Sequence, residues 1–240
     1  MSVAAAVVWH DVECGSYTED LALWRELAAE AGGPVLDVGA GTGRVALDLA
    51  SHGIDVTALD SEAALLDALA ERATAASLDV PTIVADARDF AIGDRRFALI
   101  MVPMQTLQLL PDADGRGAFF RAARASLADG GRVAIALADA LDSYEGEVDG
   151  LPEPDTATVD GITYTSLPLA VVDEGEHAAI HRLRQTSAGS ESHDVIRLSR
   201  VAPAEVAEEA EAYGLVAETA RRIPQTDVYV GSTVVILRAR

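Results

Sequence analysis

Val35-Leu36-Asp37-Val38-Gly39-Ala40-Gly41-Thr42-Gly43-Arg44 runs an apolar strand into a turn with glycine at every second position and an acid two residues before the first. Glycine lets a ligand approach backbone closely, and a strand-to-helix turn presents amides to such a group. The stretch predicts a cofactor cradle at the carboxyl end of a buried strand. Its register is GxGxG, with Arg44 where the dinucleotide pattern GxGxxG places its third glycine.

Upstream, Leu21, Leu23, Trp24, Leu27 and Ala28 recur at helical spacing, which predicts a helix over 17–31 ending at Gly32-Gly33-Pro34. Downstream, strand and helix alternate. Strands are expected at 35–39, 54–60, 81–85, 97–102 and 132–137. Helices are expected at 42–52, at 61–75 with Ser61 as N-cap, and at 116–127, closed by Asp129-Gly130-Gly131. The fourth strand is apolar throughout and therefore central. Such alternation implies parallel pairing with helices on both faces, an α/β fold.

After Ala138 the texture changes. Acid, glycine and proline over 139–160 read as loop, and β-prone segments at 162–172, 178–186 and 194–199 read as an antiparallel meander. A helix over 203–213 stops at Gly214, and strands follow at about 216–223 and 227–237. One domain over 1–240 is expected, with an N-terminal helical cover at 1–32 and an inserted β cap at about 139–200.

Composition narrows the partners. Half of the 240 residues are apolar and the net charge is −21, with no arginine run to make a basic stripe, so nucleic acid is not an expected partner. All 18 basic residues are arginine, which excludes Schiff-base chemistry through lysine and Walker-type phosphate binding. The single cysteine, Cys14, forms no internal disulfide and is read as structural, and no cysteine–histidine cluster suggests a metal. The opening residues are too short an apolar run to cross a bilayer and lack a signal peptide's basic start, so a cytoplasmic protein without membrane association is expected.

Two further acids fall on the same sheet edge as the glycine turn. Asp60 ends the second strand, about 20 residues on, the spacing at which a carboxylate reaches ribose hydroxyls. Asp86 closes the third strand. Together with Asp37 they should line one cleft.

At these positions the chain resembles a class I, Rossmann-like S-adenosylmethionine (SAM)-dependent methyltransferase of the small-molecule type. Asp37 to Gly43 carries that family's first motif, Asp60 the second, Asp86-Ala87-Arg88 the third, and the fourth strand leads into Pro103-Met104-Gln105. Asp129-Gly130-Gly131 is similar to the family's PGG turn, with aspartate in place of proline. The resemblance covers about 35–138 and 201–240. It implies a seven-stranded, mostly parallel sheet with the last strand antiparallel, and SAM as cofactor. By the same resemblance Gly39, Ala40 and Gly41 cradle the methionine half, with Gly43 completing the motif and Asp37 holding the amino group. Asp60, with Ser61 beside it, takes the ribose hydroxyls, and Asp86 accepts from the adenine amino group with Ala87 and Arg88 alongside. Pro103 and, from the cover, Tyr17 complete the expected contacts.

Methyl transfer from a sulfonium is an in-line displacement, so alignment and a dry site matter most, and a base is needed only for a protonated nucleophile. The exit of the fourth strand lacks an Asn-Pro-Pro-Tyr sequence, which argues against amide and base nitrogens as acceptors. Gln105 and Gln108 offer hydrogen bonds there. Candidate bases are His10, in the cover, and His181 or Tyr164, in the inserted strands, whereas His52 reads as a helix-end residue. The inserted strands either cap a small-molecule pocket or pair two copies into a homodimer. Three alternatives stay open: a SAM-binding relative without methyl transfer, an NAD-dependent oxidoreductase, and a non-catalytic ligand-binding or interaction module. Arg44 and the missing lysine of a Tyr-x-x-x-Lys pair disfavour the second.

Overall fold

The computed structural model describes residues 5–138, 141, 153–226 and 229–240. The chain begins with α1 (Ala5–Cys14) and α2 (Leu21–Ala31), then alternates β1 (Val35–Val38), α3 (Arg44–Ser51), β2 (Val56–Asp60), α4 (Ala63–Ala75) and β3 (Thr82–Val84). It continues through β4 (Phe97–Val102), a 3-10 turn (Thr106–Leu109), α5 (Ala113–Ser126) and β5 (Leu127–Ala138). Four strands follow, β6 (Asp155–Val159), β7 (Ile162–Asp173), β8 (His177–Thr186) and β9 (Glu191–Ser199). The chain closes with α6 (Pro203–Glu211), β10 (Leu215–Ala217), β11 (Arg221–Ile223) and β12 (Ser232–Ala239).

The main sheet has the order β10-β12-β5-β4-β1-β2-β3, with the pairs among β1 to β5 parallel and β12 antiparallel to β5. β10 and β11 both pair with β12, at its two ends, so they act as one interrupted edge strand and the sheet keeps seven positions. β4 lies between β1 and β5, which is why it can be apolar on both faces. Strand side chains alternate between faces. Val35 joins the core under α2, α3 and α4 with Trp24 and Leu69, whereas Leu36 and Val38 join the core under α5 and α6 with Phe119 and Phe120. Asp37 therefore points toward the α3 side.

β6 to β9 form a separate antiparallel sheet in sequence order. The expected loop over 139–160 thus contains a strand at its end, where Thr156, Thr158 and Val159 supply β-branched side chains. Residues 139–140 and 142–152 of that loop, and the start of the last expected strand at 227–228, lie outside the described residues.

Several boundaries differ from expectation for local reasons. Residues 17–20 precede α2 rather than open it, because the Asp20 side chain turns to other partners. Ser61 is an exposed bend residue, not a cap; Glu62 is the N-cap, and Asp60 Oδ1 accepts the Glu62 amide at 3.0 Å. α5 starts three residues early because the Asp112 side chain caps it by accepting the Gly115 amide. Asp129-Gly130-Gly131 does not end the helix but lies inside β5, as an irregularity where the β4–β5 register shifts.

Candidate active site

The glycine turn is folded back onto β2. The amides of Gly39 and Ala40 both donate to the Leu59 carbonyl, and the Gly41 amide donates to Asp60 Oδ2 at 2.8 Å. All three glycines have positive φ, which a residue with a Cβ adopts only at a cost. Each also faces a different neighbour. A Cβ on Gly39 would fall on the Thr106 side chain, one on Gly41 on the His10 imidazole, and one on Gly43 on Leu69. Gly43 therefore serves close packing against α4, while Gly39 and Gly41 join the turn to the β4 exit and to the N-terminal cover.

Asp37 lies beneath this turn with 1% of its surface exposed, and neither carboxylate oxygen has a hydrogen-bond partner among the described residues. Burial pushes its pKa up to about 7, against the opposing pull of Arg44, with Asp20 and Asp60 adding to the rise. The Ala46 amide eases the charge without meeting hydrogen-bond geometry. A buried carboxylate without a donor is costly unless a ligand supplies one.

The cover closes over the turn from α1. Thr42 Oγ1 donates to Asp11 Oδ1 at 2.7 Å, and Arg72 of α4 pairs with the same carboxylate and donates to the Thr42 carbonyl. The single Thr42 hydroxyl proton is thus committed to Asp11. His10 Nδ1, 3.3 Å from the same oxygen, is then the donor, which leaves Nε2 with the lone pair, against Gly41. Burial lowers the His10 pKa, opposed by Asp11 and Asp60, so the ring is neutral at pH 7.

Tyr17 follows α1. It is 8% exposed, with the Arg44 guanidinium 5.0 Å from its ring centre and Tyr229 edge-on at 4.9 Å. Burial pushes its hydroxyl up to about 12, so it keeps its proton. At the β4 exit the buried Pro103 carbonyl accepts from Thr106 Oγ1 at 2.9 Å, and Met104 sits at φ 55°, a strained conformation for a side-chain-bearing residue. Gln105 stands at the start of the 3-10 turn that follows, without a capping hydrogen bond from its side chain.

The other expected residues are placed differently. Asp86 is held by Arg88, through the Arg88 amide at 2.8 Å and the guanidinium at 2.6 Å, and Arg88 keeps its pKa down at about 2. Gln108 is buried and accepts the Ala138 amide, so it braces β5 and does not face a cleft. Arg182 and Arg184 of β8 reach Glu13 on α1, which puts the intervening alternation, and His181 with it, on the opposite sheet face. His181 is thus not brought to the glycine turn. Tyr164 lies on the α1 face, edge-on to Trp9 at 5.2 Å. His52 ends α3 as expected, and burial raises the Cys14 thiol to about 11, leaving it unreactive.

A family model described as a methyltransferase domain matches residues 35–131, which contain the glycine turn, Asp60, Asp86 and the β4 exit. Residues 35–131 carry a methyltransferase domain.

Solved structures extend the likeness over the whole fold. The chain is 22% identical to the CcbJ methyltransferase from Streptomyces caelestis, with a TM-score of 0.73 over 94% of this chain and 98% of that one. A sugar N-methyltransferase from Streptoalloteichus is also 22% identical, with a TM-score of 0.72 over 98% and 92%. An amino pentose methyltransferase from Micromonospora echinaspora, solved with SAM bound, is 18% identical, with a TM-score of 0.72 over 100% and 98%. No curated protein matches the chain by sequence. SAM is the methyl donor of such domains, and the orphaned Asp37 carboxylate beside a glycine turn fits its ammonium group.

Residues that the sequence did not single out hold this site together: Asp11, Arg72, Asp20 and Thr106. Asp11 and Arg72 pair across 61 residues and Asp20 and Arg44 across 24, which no local pattern marks, whereas Thr106 bonds locally to Pro103 and meets Gly39 only in the fold.

Proposed function

We propose that the enzyme transfers the methyl group of SAM to the nitrogen of a small-molecule amine of the amino-sugar type. The observation that carries the cofactor half is Asp37, a buried acceptor without a donor under the glycine turn. Its carboxylate would hold the amino group of the methionine moiety, Asp60 the ribose hydroxyls with Ser61 at its side, and Asp86, Ala87 and Arg88 the adenine edge. Gly39, Ala40, Gly41, Pro103 and Tyr17 would enclose the rest, and Gly43 would keep α4 close. The cofactor supplies a methyl group already activated on a sulfonium.

The acceptor reading is supported by neighbours that are sugar and amino pentose methyltransferases and cover the inserted sheet as well as the cofactor domain. An amine that arrives protonated must lose a proton before its nitrogen attacks. His10 Nε2, neutral and carrying a lone pair beside Gly41, is the group proposed to receive it, and Gln105, just after the β4 exit, would hydrogen-bond the acceptor.

The same reading takes residues 1–32 as a cover and about 139–200 as the acceptor-side cap of one domain. It takes a second copy at the outer sheet face, where Leu167 and Leu183 pair, and no nucleic acid, given the net charge of −21. No helix among the described residues is long and apolar enough to cross a membrane, in keeping with the proposed cytoplasmic setting.

Calorimetry with SAM and with NAD, followed by mass spectrometry of amino sugars and their hydroxyl analogues incubated with SAM, tests the proposal. Binding of SAM and a single added methyl on the amines alone is expected. Binding of NAD instead, or methylation of the hydroxyl analogues, overturns it.

A further inference from the structure

Asp11 and Glu13 stand two residues apart on α1, so their side chains leave the helix roughly 200° apart. Asp11 reaches the glycine turn and α4 through Thr42 and Arg72. Glu13 reaches the inserted sheet. Its carboxylate, 4% exposed, accepts Ser166 Oγ at 2.8 Å, Arg184 Nε at 2.8 Å and Arg184 NH2 at 2.7 Å, with Arg182 NH1 at 2.9 Å. One turn earlier on the same side, Trp9 packs edge-on to Tyr164 and under the Arg184 guanidinium. The sheet is in turn pinned to the segment after the β4 exit: Ser199 Oγ donates to the Leu110 carbonyl at 2.6 Å and His177 Nε2 to the Pro111 carbonyl at 2.8 Å.

We infer that Glu13 is a positioning residue for the cofactor site, acting through α1: by clamping the helix to the inserted sheet, it sets how closely His10 and Asp11 sit on the glycine turn. Among the described residues its hydrogen-bond and ion-pair partners are on β7 and β8, and its charge also acts on His10 of the same helix, so its effect on the cofactor site is carried by α1. A short helix of this length does not hold its place unaided, and depends on the contacts at both sides. The acceptor-side sheet and the cofactor turn then share one wall, and closing one closes the other.

The inference rests on the cofactor reading, and the experiment separates the two. SAM affinity and dissociation rate are measured for the intact protein, Glu13→Gln, Asp11→Asn and the double variant, with deuterium exchange of α1 amides alongside. Glu13→Gln is expected to weaken SAM binding roughly tenfold, mainly through faster dissociation, although it removes no cofactor contact. Its α1 amides should exchange faster while those of β1 and β4 do not. The double variant should bind no worse than the weaker single variant, because both release the same helix.

Glu13→Gln binding SAM as the intact protein does, or losses that multiply in the double variant, overturns the inference. Should Glu13→Gln fail to fold, Ser166→Ala removes one donor and leaves both arginines, and a smaller loss in the same direction is expected; unchanged affinity there overturns the inference too. Failure of the intact protein to bind SAM would fell the cofactor reading, and the exchange of α1 amides would still report on the clamp.

Discussion

Arg44 and Asp20 form a two-point ion pair across 24 residues, NH1 to Oδ1 at 2.6 Å and NH2 to Oδ2 at 2.8 Å, with the aspartate side chain fully buried. Trp24 Nε1 donates to the same carboxylate at 2.8 Å, and Arg44 also donates to the Tyr17 carbonyl. A cation opening a helix opposes the helix dipole, so Arg44 is not there for α3. It fastens the cover segment to the turn, and the residue that breaks the dinucleotide pattern is the anchor of Tyr17.

Removing one partner of this pair leaves an uncompensated buried charge. Asp20→Asn should cost about 3–5 kcal/mol, whereas Asp20→Asn with Arg44→Met should cost less than the single change. Urea titration of the three proteins checks both the size and the order.

Asp60 accepts two backbone amides, from Gly41 and Glu62, before any ligand arrives. Asp60→Ala should therefore weaken SAM binding strongly and also cost about 1–3 kcal/mol by leaving a donor at the turn unpaired. Asp60→Asn keeps one acceptor oxygen and should recover much of the stability but little of the affinity. Melting curves and calorimetry on the two variants separate the acid's structural and ligand-binding duties.

How far the sequence could be read follows from how local each signal is. The β1 strand, the glycine turn and the apolar β4 are each a run of adjacent residues whose periodicity or φ demand is self-contained, and they appear where the pattern puts them. α1 carries only Val7, Val8 and Val12 as a buried stripe, and its site duties lie in polar residues whose partners are far off, Arg72 for Asp11 and Arg184 for Glu13. Charged pairing across long separations has no periodic signature. The placement of His181 shows the same limit from the other side: alternation says that it shares a face with Leu183, but only the docking of β8 on α1 says which face.

Gly41 abuts His10, and this contact predicts a rescue. Gly41→Ala puts a Cβ into the imidazole, so it should weaken SAM binding by displacing α1. Adding His10→Ala removes the obstacle and leaves chiefly the positive-φ cost, about 1 kcal/mol. The double variant should melt above Gly41→Ala alone and regain part of its SAM affinity; no recovery would mean that the glycine is needed for a ligand contact and not for the cover.

Asp37 makes stability and binding respond to pH in opposite directions. An acid whose pKa is raised to about 7 in the folded chain holds a proton there that the unfolded chain has released, so its contribution favours folding most at low pH and fades as pH rises through 7. The melting temperature of the intact protein, relative to Asp37→Asn, should therefore be higher at about pH 5.5 than at about pH 8, because each tenfold tightening of the proton on folding is worth about 1.4 kcal/mol. The ammonium group of the cofactor needs the carboxylate charged. SAM should thus bind more tightly at about pH 8 than at about pH 6, with proton release on binding near pH 7, detectable as a dependence of the calorimetric heat on buffer ionisation. Asp37→Asn should lose affinity and the proton release together. Affinity that is flat with pH and binding that releases no proton would show that the amino group is held elsewhere.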